Sequence, residues 1–273
     1  MIPTMPQASG GHEGPVLAVD GLSLRFGAVA ALSEVSFTVE PSELFAVIGP
    51  NGAGKTSLFN VLTCVYPPTD GRLSYLGHNL AALRPHHLAS LGIARTFQNL
   101  ALFPGLSVLE NVLVGRTSRM RAGSIRAGLR LPSARREEAA NRERAAAALD
   151  LVGLTKLASS PVGGLAYGVR KHVELARAVA MEPTLLLLDE PVAGMSRNER
   201  SEVVELVRTI HEHLRAAILL VEHDMSVVMS LATRVLVLDF GRTIALGTPA
   251  EIQANPEVIR AYLGEEEPEE VRS

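Results

Sequence analysis

The segment Gly49-Pro50-Asn51-Gly52-Ala53-Gly54-Lys55-Thr56-Ser57 carries the residue types needed to hold a polyphosphate. Phosphate oxygens are gripped best by several N–H donors converging on one point. Glycines let the backbone turn through positive φ and approach an anion with no Cβ in the way. A helix starting near Lys55 directs its free N–H groups and its positive dipole end at the same place. Lys55 adds a point charge for the β- and γ-phosphates, and the Thr56 hydroxyl is a ligand for Mg²⁺. The spacing is that of a complete phosphate-binding loop, which makes a nucleoside polyphosphate with Mg²⁺ the expected ligand. The bland alternative is a glycine-rich turn that binds nothing. A buried-strand pattern before the loop and a helical pattern after it favour the nucleotide.

Two more segments end in groups that suit this chemistry. Leu185-Leu186-Leu187-Leu188-Asp189-Glu190 puts two carboxylates at the end of an apolar run. Ligands of open α/β sheets bind beyond the carboxyl ends of the strands. Asp189 is therefore expected in the Mg²⁺ shell, through water, and Glu190 one residue further on, as the base that polarises the attacking water. Alone, such a pair is usually a solvated strand end; the glycine loop changes that weighting. Ile218-Leu219-Leu220-Val221 leads to His223, a candidate γ-phosphate sensor at a third strand end. The other histidines show no metal-ligand grouping, and His211 and His213, two apart on a helix, do not share a face.

The elements that must position these groups are legible as periodicities. Val35, Phe37 and Val39 alternate with Ser36 and Thr38, the pattern of a half-buried strand. Leu44 to Ile48, Leu185 to Leu188 and Ile218 to Val221 are continuous apolar runs, as in a parallel sheet covered on both faces. Val203, Leu206, Val207, Ile210 and Leu214 form one helical stripe between the last two runs. Strands alternating with helices predict an α/β fold with a parallel sheet. The Ala- and Arg-rich middle, with a helical stretch from Ala134 to Leu151, reads as an inserted helical subdomain over about 85–180. Val235–Leu238, Gly241-Arg242 and Thr243–Leu246 read as a hairpin. Residues 1–14 read as a floppy leader and 265–273 as an acidic tail, leaving 15–264 as one domain.

Composition narrows the function. The chain has 273 residues, 47% hydrophobic and only 4% aromatic, so an aliphatic core is expected. A net charge of -3 does not suit a protein held to nucleic acid by phosphate contacts. The single cysteine, Cys64, excludes an internal disulfide and fits a reducing cytosol. No run approaches the roughly 18 apolar residues of a membrane span, and the N-terminus lacks a secretory pattern. Work at a membrane would require docking to a partner.

In this order, the three strand-end features resemble those of the nucleotide-binding subunits of ABC transporters, over about Leu17 to Leu263. The resemblance implies a P-loop NTPase core, an N-terminal antiparallel β subdomain and the helical insertion. It also implies roles for further residues. Gln98, in Arg95-Thr96-Phe97-Gln98, matches the glutamine loop, a ligand of Mg²⁺ and of the reaction site. Phe26 matches the aromatic that stacks on adenine. Leu165-Ala166-Tyr167-Gly168-Val169 stands at the family signature, directly before a helix from Arg170. Ala193 to Ser196 matches the loop after the catalytic glutamate. Leu-Ala-Tyr-Gly, Arg-Thr-Phe-Gln and the ending Gly247-Thr248-Pro249 to Gly264 resemble the LivG-type subunits of branched-chain amino acid importers. The implied machine is a homodimer, or a heterodimer with a companion ATPase. It sandwiches each ATP between one subunit's loop and the other's signature, at the cytoplasmic face of the inner membrane, on permease subunits served by an outside solute-binding protein.

Three positions depart from the commonest family pattern: Ala166 in place of serine, Val169 in place of glutamine and Ser196 in place of aspartate or asparagine. Either the signature is weak and pairs with a better one on a companion, or these are neutral changes at tolerant positions. Each lost hydrogen bond would be worth about 0.5–1.5 kcal/mol. Seven arginines and no acid lie between Arg116 and Arg136. They read as a solvated insertion in preference to a contact with anionic headgroups or acidic permease loops. An exporter ATPase of the lipopolysaccharide type, a soluble ATP-driven clamp and a non-hydrolytic nucleotide sensor are the rival functions. Intact Lys55, Asp189, Glu190 and His223 argue against the last.

Overall fold

The computed structural model describes residues 14–96, 101–117 and 132–263. The leader before Gly14, Gln98, four of the seven arginines (Arg119, Arg121, Arg126 and Arg130) and the acidic tail lie outside them. The described residues form two compact units. One runs His86–Ile218; the other joins 14–85 to 219–263.

The second unit holds an antiparallel sheet of order β2-β1-β4-β5, with β1 Leu17–Phe26, β2 Val29–Val39, β4 Asp70–Tyr75 and β5 His78–Asn79. β2 alternates as its sequence requires: Val35, Phe37 and Val39 are buried while Ser36 is exposed. β3, Leu44–Ile48, is buried at every residue, as a strand covered on both faces must be. It pairs in parallel with β9, Arg234–Asp239, which turns at Phe240-Gly241 into antiparallel β10, Arg242–Gly247. The helix Lys55–Leu62 follows β3 and buries Leu58, Phe59, Val61 and Leu62.

In the first unit, β6 (Ile93–Arg95) pairs in parallel with β7 (Leu185–Asp189), which is buried throughout. β8, Ala217–Val221, begins in this unit, where Ala217 N–H donates to Thr184 C=O at 3.0 Å. It ends in the other, where Glu222 N–H donates to Val47 C=O at 3.3 Å. The helix Arg197–Leu214 buries Val203, Val204, Leu206, Val207 and Ile210, the predicted stripe with Val204 added and Leu214 only half-buried. The fold is thus α/β, a parallel-strand core with an antiparallel β subdomain.

Helices Val108–Arg116, Pro132–Leu151 and Tyr167–Val179 complete the first unit. They correct two expectations. Arg116 does not belong to a solvated run. It is 2% exposed, donates from Nε to Asn141 Oδ1 at 2.9 Å and from Nη1 to Ala180 C=O at 2.6 Å, and lies 3.2 Å from Glu182. A buried guanidinium persists only when paired in this way. Arg135 and Arg136 are exposed, as read. The second correction concerns the helix expected from Arg170: it starts at Tyr167, with Ala166 as its N-cap.

Candidate functional site

The phosphate loop closes between β3 and the helix Lys55–Leu62. Gly49, Gly52 and Gly54 have φ of 153°, 79° and 100°, as expected of a loop that must turn sharply. Their reasons differ. A Cβ on Gly49 would lie 2.2 Å from Leu238 C=O, and one on Gly54 would lie 2.7 Å from Ala31 C=O and 3.3 Å from Gly241 Cα. A Cβ on Gly52 would meet nothing within 4 Å, so only its backbone conformation demands glycine. Two of the three glycines therefore make room for the protein's own backbone.

The β9–β10 turn braces this loop. Gly241 N–H donates to Ala53 C=O at 2.9 Å, and Gly241 C=O accepts from Ser33 N–H at 2.8 Å. The loop is held between β2 and the turn. Pro50 and Ala53 are buried, while Asn51, Gly52 and Thr56 are exposed and Ser57 is half-buried. Lys55 is 8% exposed, and its ammonium donates to Gly49 C=O at 2.5 Å and to Pro50 C=O at 2.8 Å. The helix has no side-chain cap, and its positive dipole end suits an anionic acceptor. This donor set fits a polyphosphate. Mg²⁺ would take the Thr56 hydroxyl together with phosphate oxygens. No group of three or more His, Cys, Asp or Glu among the described residues could hold a metal by itself.

Phe26 is 48% exposed, and Tyr66 packs edge-on to it with ring centroids 5.2 Å apart. The pair offers an aromatic platform in the same unit as the loop, and sequence reasoning missed Tyr66. His223 is also in this unit, at the end of β8, with its side chain more than half exposed. Behind it stands Glu222, fully buried. Glu222 Oε2 accepts from His223 N–H at 3.0 Å and Asp224 N–H at 3.3 Å, and His223 Nδ1 lies 3.7 Å away. Asp224 then caps the helix Met225–Leu231 through Ser226 and Val227 N–H. Glu222 was missed because its signal, a carboxylate directly after an apolar run, looks like a solvated strand end.

The first unit carries the acids. Asp189 is 6% exposed, and its N–H donates to Thr96 Oγ1 at 3.4 Å. Thr96 N–H in turn donates to Leu187 C=O at 3.0 Å. Arg95 Nη2 stands 3.7 Å from Asp189 Oδ2. Burial lowers the Arg95 guanidinium from its ordinary value, and the Asp189 charge opposes that. Glu190 is held at φ 44°, a left-handed conformation that costs a residue with a Cβ about 1 kcal/mol or more and that concentrates at functional positions. Ala193 N–H donates to Glu190 C=O at 3.1 Å and closes that turn.

The signature is a helix start. Arg170 N–H makes the first helical bond, to Ala166 C=O at 3.0 Å, so the first-turn amides belong to Tyr167, Gly168 and Val169 themselves. Ala166 supplies no side-chain cap. Leu165 is half-buried, and Tyr167 Oη donates to Ala193 C=O at 3.5 Å. Ser196, in place of the usual aspartate or asparagine, reads in the sequence as a lost hydrogen bond. In this chain it caps the helix Arg197–Leu214 instead. Its N–H and hydroxyl donate to Glu199 Oε2 at 2.9 and 2.6 Å, and its Oγ accepts from Glu199 N–H. Serine serves at an N-cap as well as aspartate does, which accounts for this departure locally. These hydrogen bonds lower the Glu199 pKa. A Cβ on Gly168 would lie 3.3 Å from Glu199 Oε1.

A family model described as "ABC transporter" matches residues 32–193, more than half of the chain, and one described as "Branched-chain amino acid ATP-binding cassette transporter" matches 242–268. The high-affinity branched-chain amino acid transport ATP-binding protein LivG of Salmonella typhimurium is 42% identical over 251 residues, 92% of this chain and 98% of that protein. BraF of Pseudomonas aeruginosa is 40% identical over the same length. The solved ADP conformation of MJ1267, an ATP-binding cassette of an ABC transporter, superposes with a TM-score of 0.78 at 27% identity, covering 92% of this chain and 99% of that one. The braced phosphate loop, the acid-tipped β7 and these matches agree, and the chain belongs to the ATP-binding subunits of ABC transporters.

Proposed function

We propose that this ATPase drives a branched-chain amino acid importer, paired with a second cassette on membrane permease subunits at the cytoplasmic face of the inner membrane. A solute-binding protein outside would deliver the amino acid. The observation that carries the reading is the chain-long identity to LivG and BraF, reinforced by the separate match at 242–268. Within the cassette, the amides from Gly49 to Ser57 and the Lys55 ammonium grip the phosphates of ATP. Phe26 and Tyr66 stack on adenine. Thr56, with Gln98 and Asp189, would hold Mg²⁺, whose charge would offset that of the phosphate oxygens. Glu190 takes a proton from the attacking water, and His223, positioned by Glu222, contacts the γ-phosphate. The first-turn amides of Tyr167, Gly168 and Val169 serve the nucleotide of the partner cassette. No described helix is long and apolar enough to cross a membrane.

Permease contact needs an apolar seat. Phe103 is 50% and Leu106 36% exposed, in a turn that also exposes Pro104 and Gly105. The turn is rigid because Asn111, fully buried, accepts from Phe103 N–H at 2.8 Å and donates to the carbonyls of Phe103, Leu106 and Ser107 at 3.0–3.3 Å. We take this turn as the permease seat. The deciding experiment co-expresses the chain with its permease and measures ATP-dependent uptake of labelled leucine into proteoliposomes. Uptake that needs Glu190 supports the reading. ATP hydrolysis without uptake of any branched-chain amino acid overturns it.

A further inference from the structure

The apolar turn is bonded both to the segment that leads into the signature helix and to that helix near its downstream end. Ahead of the signature, Gly163 N–H donates to Pro104 C=O and Val162 N–H to Leu106 C=O, both at 3.1 Å. Beyond it, the guanidinium of Arg177 donates from Nη1 to Ala101 C=O, at the start of the same turn. Tyr167 and Arg177 lie ten residues apart on one unbroken helix, about 15 Å at 1.5 Å per residue. A helix of that length moves as a rod, so displacement at one end is read at the other.

Arg177 is built into this place. Gly115, in the helix that follows the turn, sits so close to it that an added Cβ would lie 2.4 Å from Arg177 C=O and 2.9 Å from its Cγ. Burial lowers the Arg177 pKa and the nearby Glu174 carboxylate raises it. A partly buried guanidinium donating to a backbone carbonyl forms a strong, directional bond that a lysine cannot fully reproduce.

We propose that Arg177 is a positioning residue that couples permease movement to the signature, by fixing the downstream end of the signature helix to the seat at Ala101–Leu106. This rests on the proposal that the turn seats the permease. The Arg177 bond to Ala101 ties the helix to the turn, and the Gly163–Pro104 bond ties the segment that leads into it, so a push on Phe103 and Leu106 tilts the amides of Tyr167, Gly168 and Val169.

The test uses the assembled transporter in proteoliposomes, with leucine and the solute-binding protein as stimulus. Three quantities are read for wild type, Arg177→Met and Arg177→Lys: ATPase of the subunit alone, ATPase of the stimulated complex, and cassette retained on the permease. Arg177→Met should leave the first and third unchanged and lower the stimulated rate about tenfold, the worth of one charge-assisted hydrogen bond. Arg177→Lys should restore part of the stimulation, and it carries the comparison if the methionine variant fails to fold. Equal loss of basal and stimulated rates, full stimulation without the guanidinium, or loss of the cassette from the permease each overturns the proposal. Phe103→Asp tests the seat separately: a cassette that stays bound to the permease removes the seat and leaves the ATPase assignment standing.

Discussion

An added methyl at Gly54 would press 2.7 Å against the backbone carbonyl of Ala31; at Gly168 it would meet only the end of a glutamate side chain at 3.3 Å. Both glycines stand at the start of a helix that has no side-chain cap. Gly54 is enclosed by backbone that cannot yield, while Gly168 faces only the end of a side chain, and at a looser distance. The difference suits the two proposed roles. A loop that holds its own nucleotide gains from being preformed, since ordering costs nothing at binding. A signature that, as proposed, meets the partner's nucleotide only on closure must tolerate adjustment.

The largest expected effect tests whether either helix start matters without the acid. Glu190→Gln should cut phosphate release by about 10²–10⁴-fold, the usual contribution of a general base, with ATP binding retained in calorimetry. If hydrolysis continues in this variant, Glu190 loses its role. Next, Gly54→Ala should destabilise the fold by about 1–3 kcal/mol through strain at φ 100° and the backbone clash, and should weaken ATP binding; melting curves and calorimetry read both. Gly168→Ala should go the other way. The position is helical, so alanine should raise stability by up to about 1 kcal/mol, and destabilisation equal to that of Gly54→Ala would erase the contrast.

The smallest effect is electrostatic. Hydrogen bonds from Ser196 depress the Glu199 pKa in the folded state. A depressed carboxylate stabilises above its unfolded pKa, and that stabilisation is lost as pH falls through the folded pKa. Wild type should therefore melt above Glu199→Gln at neutral pH, and the gap should close on acidification. A gap that widens in acid would contradict the assigned hydrogen bonds.

What was legible in the sequence depended on how local the cause was. The runs Leu44–Ile48 and Leu185–Leu188 are fully buried strands because burial on both faces leaves a continuous apolar signature. The phosphate loop was readable because its spacing is dictated by the ligand. Contacts between distant segments were not readable. Arg116 looked like one of a run of solvated charges; it is buried because Asn141, Ala180 and Glu182 arrive from elsewhere in the chain. Ser196 looked like a lost contact, although a capping box with Glu199, three residues on, was there to be read. The helix start at Tyr167 was misplaced because no capping side chain marks it. Nothing in Glu222 distinguished it from any acid at the end of a strand.

The brace at Gly241 has a consequence for how the protein is made. The cradle is encoded near residue 50, yet its shape depends on a turn nearly two hundred residues later in the chain, where Gly241 bridges Ala53 to Ser33. A polypeptide emerging from the ribosome has the whole nucleotide motif long before it has the turn that sets it. Long-range closure of this kind is slow and comes late. The half-made chain should be blind to ATP until that turn is in place.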